Sequence, residues 1–287
     1  MSNPFRSPLG ALLLALALGP AGQAGAADYT LTVEPNFPPA QIREVYGPLL
    51  QYLNRSTGHR FSVRSAANFN QHWRELRAGA KYDFVFEEGH FFDYRHKQNG
   101  ALPLVRTAEN SGFVIAVADP EIAREGRNGI VGRTVASLGA PSLGYVLVFD
   151  AFRNPLAQPE LRAISSKWSD GPDLVFSGDA EGTVLPLYMA GENPALTEVW
   201  RSREVPGRVL SASPELPQEV RQAVAEALAR LHEDPEAYAV LTELRTERFV
   251  PTEATPYDGM ERLLVNTFGY APPAPATAPA SPAAATP

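Results

Sequence analysis

The sequence predicts an α/β fold, and three observations carry that prediction. Strand-type alternation and helix-type periodicity follow one another from Asp28 to about Tyr270. No internal repeat interrupts the series. The 287 residues include no cysteine, so stability must come from a packed core, and the length suits one large domain or two modest ones. Strands alternating with helices argue for largely parallel sheets.

Tyr29, Leu31 and Val33 alternate with Thr30, Thr32 and Glu34, which is the period of a strand that Pro38 and Pro39 end. Ile42, Val45, Tyr46, Leu49, Leu50 and Leu53 then mark one face of a helix, with Gly58 as its C-terminal cap. Phe61 and Val63 start a second strand. Asn68 or Asn70 caps a helix carrying Trp73 and Leu76 that stops near Gly79. Asp83-Phe84-Val85-Phe86 reads as a third, buried strand. Phe113 to Ala118 and Thr134 to Ala136 are further strands, and Ser142 to Phe152 is a helix. The stretch 154–210 carries no clear period. Val220, Val224, Leu228 and Leu231 line a long helix that starts at Pro217. Asp234 and Pro235 supply the cap and first residue of another, which carries Val240, Leu241 and Leu244. In open α/β sheets ligands bind beyond the carboxyl ends of the strands, here the loops 35–39, 66–70, 87–92, 137–144 and 177–182.

The two ends read differently. Arg6, the apolar run Leu9 to Leu18, the breakers Gly19, Pro20 and Gly22, and Ala24-Gly25-Ala26 have the layout of a secretory signal peptide over 1–26. The run falls short of the about 20 residues that a bilayer span needs. A soluble periplasmic protein is expected, with cleavage after Ala26 or Ala27. Residues 271–287 are only Ala, Pro, Thr and Ser, which predicts a disordered tail. The formal charge of −7 moves by one, to −8, when Arg6 leaves with the leader, and no Lys/Arg cluster relieves it. That balance makes nucleic acid and anionic membrane surfaces poor partners, although a local pocket can still oppose the global field.

Enzyme chemistry finds no motif. There is no Cys nucleophile, no Gly-x-Ser-x-Gly elbow and no Walker A loop, and His90, His96 and His232 have no matching nucleophile. No catalytic residue and no cofactor are expected. The helix start at Ser142, Gly144 and Tyr145 suits an anion, because its free N–H groups and dipole point outward and Gly144 permits close approach. The plain alternative is Ser142 as an N-cap. Glu87, Glu88, His90, Asp93 and His96 offer N/O donors to a metal, or form a solvated acidic loop. The two carboxylates would repel an oxyanion, or one would accept hydrogen bonds from a ligand amine or hydroxyl. Asn36 and Phe37 fill the first strand's loop. Phe69, Phe91 and Phe92 are either pocket walls or core. Asp179 is a polar contact or a turn cap.

Four stretches, in order, resemble one family. They are YTLTVEPNFPPAQIREVYGPLLQYLNRSTGHRFSV, ELRAGAKYDFVF, GRTVASLGAPSLGYVL and RVLSASPELPQEVRQAVAEALARLHEDPEAYAVLTEL. Together they resemble the PhnD-like phosphonate, phosphite and phosphate binding proteins of ABC importers. The resemblance runs from about 29 to 265, thinly between 150 and 205. It implies a two-lobed periplasmic-binding-protein fold of type II, with two hinge crossings, closing on a ligand. The first lobe would hold 28–112 and 212–270, and the second 113–211. In that family the helix start at Ser142 is Ser/Thr-rich and holds an oxyanion, whereas here Leu143 replaces one hydroxyl. Phe91 or Phe92 would supply a ligand-contacting aromatic, and Phe69 takes the place of a Tyr. Ser177-Gly178-Asp179 resembles a Ser-Gly turn that donates polar contacts. Glu87 and Glu88 depart from a Gly-Pro turn and argue against a doubly charged phosphonate. The implied function is a monomeric solute-binding component that delivers a small polar or oxyanionic, phosphonate-like ligand to an inner-membrane permease. A ligand-sensing module for a membrane receptor and a metal-binding accessory protein are the other readings.

Overall fold

A computed structural model describes residues 26–164 and 167–271. The expected leader, apart from Ala26, and the tail from 272 onward lie outside them. The chain opens with β1 (Asp28–Val33), α1 (Ile42–Thr57), β2 (Arg60–Ser65), α2 (Phe69–Arg77), β3 (Phe84–Glu87), α3 (Gly89–Asn99) and β4 (Leu102–Thr107). It then builds β5 (Phe113–Val117), α4 (Pro120–Glu125), β6 (Thr134–Ala136), α5 (Leu143–Ala151), β7 (Glu160–Arg162), α6 (Gly171–Phe176), β8 (Gly182–Pro186) and β9 (Thr197–Arg201). It closes with β10 (Val209–Ala212), α7 (Gln218–Ala229), α8 (Tyr238–Glu243) and β11 (Phe249–Pro251).

The strands form two sheets, in the orders β11-β4-β10-β3-β1-β2 and β7-β6-β8-β5-β9. These are the two lobes. The chain passes from the first to the second between Thr107 and Phe113, and returns between Arg201 and Val209. The return lies a little earlier than the expected limit of 211, because Val209 already pairs with Glu87 and Arg106. The sheets are mixed rather than largely parallel. β1, β2 and β3 run parallel, as do β6, β7 and β8, but β10, β4 and β11 pair antiparallel, as do β5, β8 and β9. The reason is connectivity: β5 and β10 arrive from the other lobe, so no crossover helix forces them parallel. The aperiodic stretch 154–210 contains β7, α6, β8 and β9, each only three to six residues long. Elements so short do not complete enough turns or alternations to register a period.

Local signals act as chemistry dictates. Gly58 takes φ 72° and returns its N–H to the Asn54 carbonyl, ending α1. Asn68 accepts the Gln71 N–H and starts α2. Asp234 accepts the Glu236 N–H, but it opens a short 3-10 turn before α8 rather than the helix itself. β3 is buried on both faces, and its side chains alternate between two cores. Phe84 and Phe86 join Leu31, Tyr46, Leu49 and Val224 beneath α1 and α7. Val85 joins the core that continues through Phe91, Phe92, Met260 and Leu264 into Phe113, Leu143, Val146 and Leu147 of the second lobe.

The crossings run side by side. Ser111 and Val205 exchange both backbone hydrogen bonds at 2.9 Å. Just beyond, Gly207 lies so close to the first crossing that a Cβ would stand 2.1 Å from the Glu109 carbonyl oxygen and 2.3 Å from Thr107 Oγ1. Gly207→Ala should therefore cost about 1–3 kcal/mol of overpacking. Urea unfolding measures it, and an unchanged midpoint would show that the crossings can separate freely.

Candidate functional site

A cleft of about 440 Å³ opens between the lobes, against the crossings. Asn36 and Phe37 after β1, Glu88 after β3, Arg208 before β10 and Arg245 after α8 line its first-lobe wall. Lys167 and Trp168 before α6, and Tyr188 after β8, line the second-lobe wall. Asn110 and Ser111 of the first crossing line it between them.

Three wall groups, Glu88, Arg208 and Arg245, have physical holders. Glu88 stands at the N-cap position of α3 without a side-chain cap hydrogen bond, and its N–H donates to Glu34 Oε1 at 3.0 Å. Its own Oε2 accepts the Ser111 hydroxyl at 2.7 Å, which ties the first lobe to the crossing. The Arg208 guanidinium lies 4.8 Å above the Phe86 ring and donates to the Leu244 carbonyl. Arg245 has φ 51°, a left-handed conformation that non-glycine residues seldom adopt and that clusters at ligand clamps. Its guanidinium sits 5.8 Å from the Tyr188 ring and 3.5 Å from Glu192, both in the second lobe.

Electrostatics separate the acids. Burial, aided by Glu88 and Glu87 nearby, pushes the Glu34 carboxyl well above the usual carboxylate range. Burial also raises Glu88, against the pull of Arg208 and the Ser111 hydrogen bond. Glu87 is different. Successive strand residues point to opposite faces, and Glu87 turns away from the cleft to meet Arg95 Nε at 2.7 Å, with Arg95 also donating to Ser211 at 2.5 Å. The two adjacent glutamates, read together in the sequence, therefore do different work.

The other donors of the 87–96 stretch also go to separate partners. Asp93 takes Lys97 at 3.0 Å and the Glu261 N–H at 2.9 Å. His96 Nδ1 meets the Ala101 carbonyl at 2.8 Å. Among the described residues no group of three such donors is placed to hold a metal ion. A solvated loop does not describe α3, because its first seven residues are buried.

His90 Nε2 stands 2.9 Å from the Pro141 carbonyl oxygen, across the lobe boundary. A carbonyl only accepts, so Nε2 carries the proton and Nδ1 is left as a buried acceptor without a partner. Burial pushes His90 down to about 4 and, with Arg95 near, His72 down to about 3, so both imidazoles are neutral. Phe69 and Phe91 stack at 6.3 Å, and Phe92 packs edge-on to Tyr257 at 5.1 Å. All three belong to the core that joins the lobes, outside the cleft lining.

The helix start is packed too. Ser142 is buried and makes no cap hydrogen bond; its hydroxyl reaches only the Leu138 carbonyl, at 3.4 Å. At Gly144 a Cβ would stand 2.8 Å from both Phe113 and Trp168, so its missing side chain admits those rings. Tyr145 is half-buried, 4.9 Å from Phe149. Ser177 donates to Asp179 at 2.6 Å in an exposed turn. Of the residues singled out by sequence, Asn36, Phe37 and Glu88 line the cleft. Lys167, Trp168, Tyr188, Arg208 and Arg245 were missed. They lie at or between short elements, where no period or motif marks them, and lone loop aromatics were the single available signal.

A family model described as "ABC transporter, phosphonate, periplasmic substrate-binding protein" matches residues 31–151 and 173–257. Among curated proteins none matches the chain. The fold is similar to that of PhnD1 from Prochlorococcus marinus in complex with methylphosphonate, at 13% identity and TM-score 0.70, covering 85% of this chain and 99% of that one. It is similar to a binding protein component of an ABC phosphonate transporter from Pseudomonas aeruginosa, at 13% identity and TM-score 0.68, covering 83% and 85%. A Xanthomonas citri protein bound to ATP aligns at 19% identity and TM-score 0.62, covering 82% and 95%.

The buried histidines make the fold acid-labile. Unfolded, a histidine titrates near 6.5; folded, His90 titrates at about 4. The unfolded state therefore binds the proton first, and stability is lost as pH falls from about 6.5 through about 4. The His90 share is on the order of 3 kcal/mol. His90→Gln, which keeps a donor for Pro141, should lose that much less stability than the wild type between pH 7 and pH 4 in chemical unfolding. Parallel pH profiles of the two proteins would refute it.

Proposed function

Because the chain belongs to the periplasmic substrate-binding proteins of phosphonate ABC transporters, we propose that it captures a small phosphonate- or phosphate-like oxyanion in the cleft between its lobes. On this reading it works in the periplasm as an exported monomer, without catalytic activity, and hands the solute to an inner-membrane ABC permease. One observation carries the ligand class. In a protein of net charge −7, Lys167, Arg208 and Arg245 converge on one cleft from both lobes. Such a local field can hold an anion against the global one. The ligands of two structural neighbours, methylphosphonate and ATP, share phosphoryl oxygens, which supports the same class here. Export rests on the signal-peptide layout of residues 1–26.

The cleft cations and the start of α5 are rival seats for the oxyanion, and mutation separates them. Losing one hydrogen bond to a charged group costs about 1.5–3 kcal/mol, so Lys167→Met and Arg245→Met should each weaken methylphosphonate or phosphate roughly 10- to 150-fold in titration calorimetry. Ser142→Ala should leave that affinity unchanged. The opposite pattern would move the oxyanion to α5, and absence of binding by any oxyanion at millimolar concentration would remove the proposed function.

A further inference from the structure

The first sheet has one apolar face and one polar face. Leu31, Val33, Phe61, Phe84 and Phe86 meet α1 and α7 on the apolar side. Successive strand residues alternate sides, so Thr32 of β1, Val85 and Glu87 of β3 and Ser211 of β10 point the other way. α2 and α3 cover that side, with Trp73, Leu76 and Phe91 in one core with Val85. Beneath this cover lie polar atoms with no hydrogen-bond partner in the protein. His72 of α2 is 0% exposed, and neither of its ring nitrogens has one. Glu87 Oε2, Thr32 Oγ1 and the hydroxyl of Tyr82, just before β3, are orphaned as well.

These groups do not satisfy one another. His72 Nε2 stands 3.9 Å from Glu87 Oε2, beyond the about 3.2 Å that a hydrogen bond allows. Arg95 is already engaged, with Nε on Glu87 Oε1 and Nη2 on Ser211. Unpaired buried polar groups are costly, and several at one place call for a shared partner. The chemistry required of that partner is narrow. A neutral imidazole presents one N–H and one bare nitrogen, Glu87 beside Arg95 only accepts, and a phenol hydroxyl does both. The partner must therefore donate and accept at once. It must be uncharged, since Arg95 repels a cation and Glu87 an anion. It must also be small, because Phe91 packs edge-on to His72 at 4.9 Å. Water meets all three conditions. A route in exists as well. Tyr82 and Arg95 also line a pocket of about 250 Å³, with Lys81, Asn99 and Glu215, at the opposite end of β3 from the cleft.

We propose that the layer between the first sheet and α2 is a binding site for structural water, held by His72, Glu87 and Tyr82 and exchanging with solvent through the pocket beside Tyr82 and Arg95. The water donates to Glu87 Oε2 and bonds a His72 ring nitrogen, joining α2 to the last residue of β3. It thereby fixes the strand end from which Glu88 enters the cleft. The site is independent of what the cleft binds, because every group that forms it lies behind the sheet. It also accounts for the polar alternation of β1: Thr32 faces a hydrated layer, while Leu31 and Val33 face a dry one.

The test joins a crystal structure of the full chain, at a resolution that shows ordered water, to thermal unfolding of variants at neutral pH. The expected structure has a water within about 3.2 Å of a His72 ring nitrogen and of Glu87 Oε2 or the Tyr82 hydroxyl. His72→Phe keeps a ring and removes both nitrogens. With water in the layer, that variant strands Glu87 Oε2 and lowers Tm by roughly 2–4 °C. His72→Gln, which retains a donor and an acceptor, should recover part of the loss. In a dry layer His72→Phe instead removes two unpaired nitrogens and raises Tm. Should His72→Phe fail to fold, Tyr82→Phe gives the same test of sign, since it removes one orphaned hydroxyl. A layer without density for water, or a raised Tm, overturns the proposal.

Discussion

The two chain crossings must run beside each other, and much of the molecule follows from that constraint. Ser111 and Val205 join them by a pair of backbone hydrogen bonds. Several groups then reinforce the junction from the first lobe. Glu88 holds Ser111, Tyr257 donates to the Gly207 carbonyl at 2.9 Å, and Glu109 accepts from Thr246 at 2.5 Å and from the Glu247 N–H at 2.8 Å. The cleft exists because this junction closes one edge while the two lobes form its walls. A hinge of this kind concentrates conformational change in a few element-terminal residues.

The lobes also meet away from the cleft, and that meeting is apolar. α5 is hydrophobic nearly all round, as a helix buried on several sides must be. It packs on β8 in its own lobe and on the segment 260–264 of the first. Phe91, Phe92, Met260 and Leu264 thereby share one core with Leu143, Val146 and Leu147. The His90–Pro141 hydrogen bond crosses the same boundary. Separating the lobes there would return apolar surface to water at about 25 cal/mol per Å². This contact therefore opposes opening, while the cleft beside the crossings remains open.

Polar chemistry divides along the same line. The cleft carries charge of both signs, with Glu88 on one wall and Lys167, Arg208 and Arg245 around it. Two acids that do not face it are matched locally, Glu87 by Arg95 and Asp93 by Lys97. Lys97 also bridges Asp258 and Glu261, which fastens the C-terminal segment to α3. A charge neighbouring the cleft in sequence is thus not a charge in the cleft.

The sequence by itself determined what depends on neighbours a few residues apart. The apolar face of α1, its Gly58 cap, the Asn68 cap of α2 and the buried run of β3 were all legible, because helices and strands are built from contacts at i+2, i+3 and i+4. The ordered stretches shared with the family carried the two-lobed fold. Tertiary structure alone decided the mixed direction of the sheets, since strand direction follows where the chain has come from. It also decided that Glu87 faces Arg95 while Glu88 faces the cleft, and that Gly144 makes room for Phe113 and Trp168. Above all it decided the cleft. Ser111, Lys167, Tyr188, Arg208 and Arg245 are far apart along the chain, and no local pattern registers them. They meet because two lobes fold around paired crossings, and a site assembled from such distant segments has no period for a sequence to display.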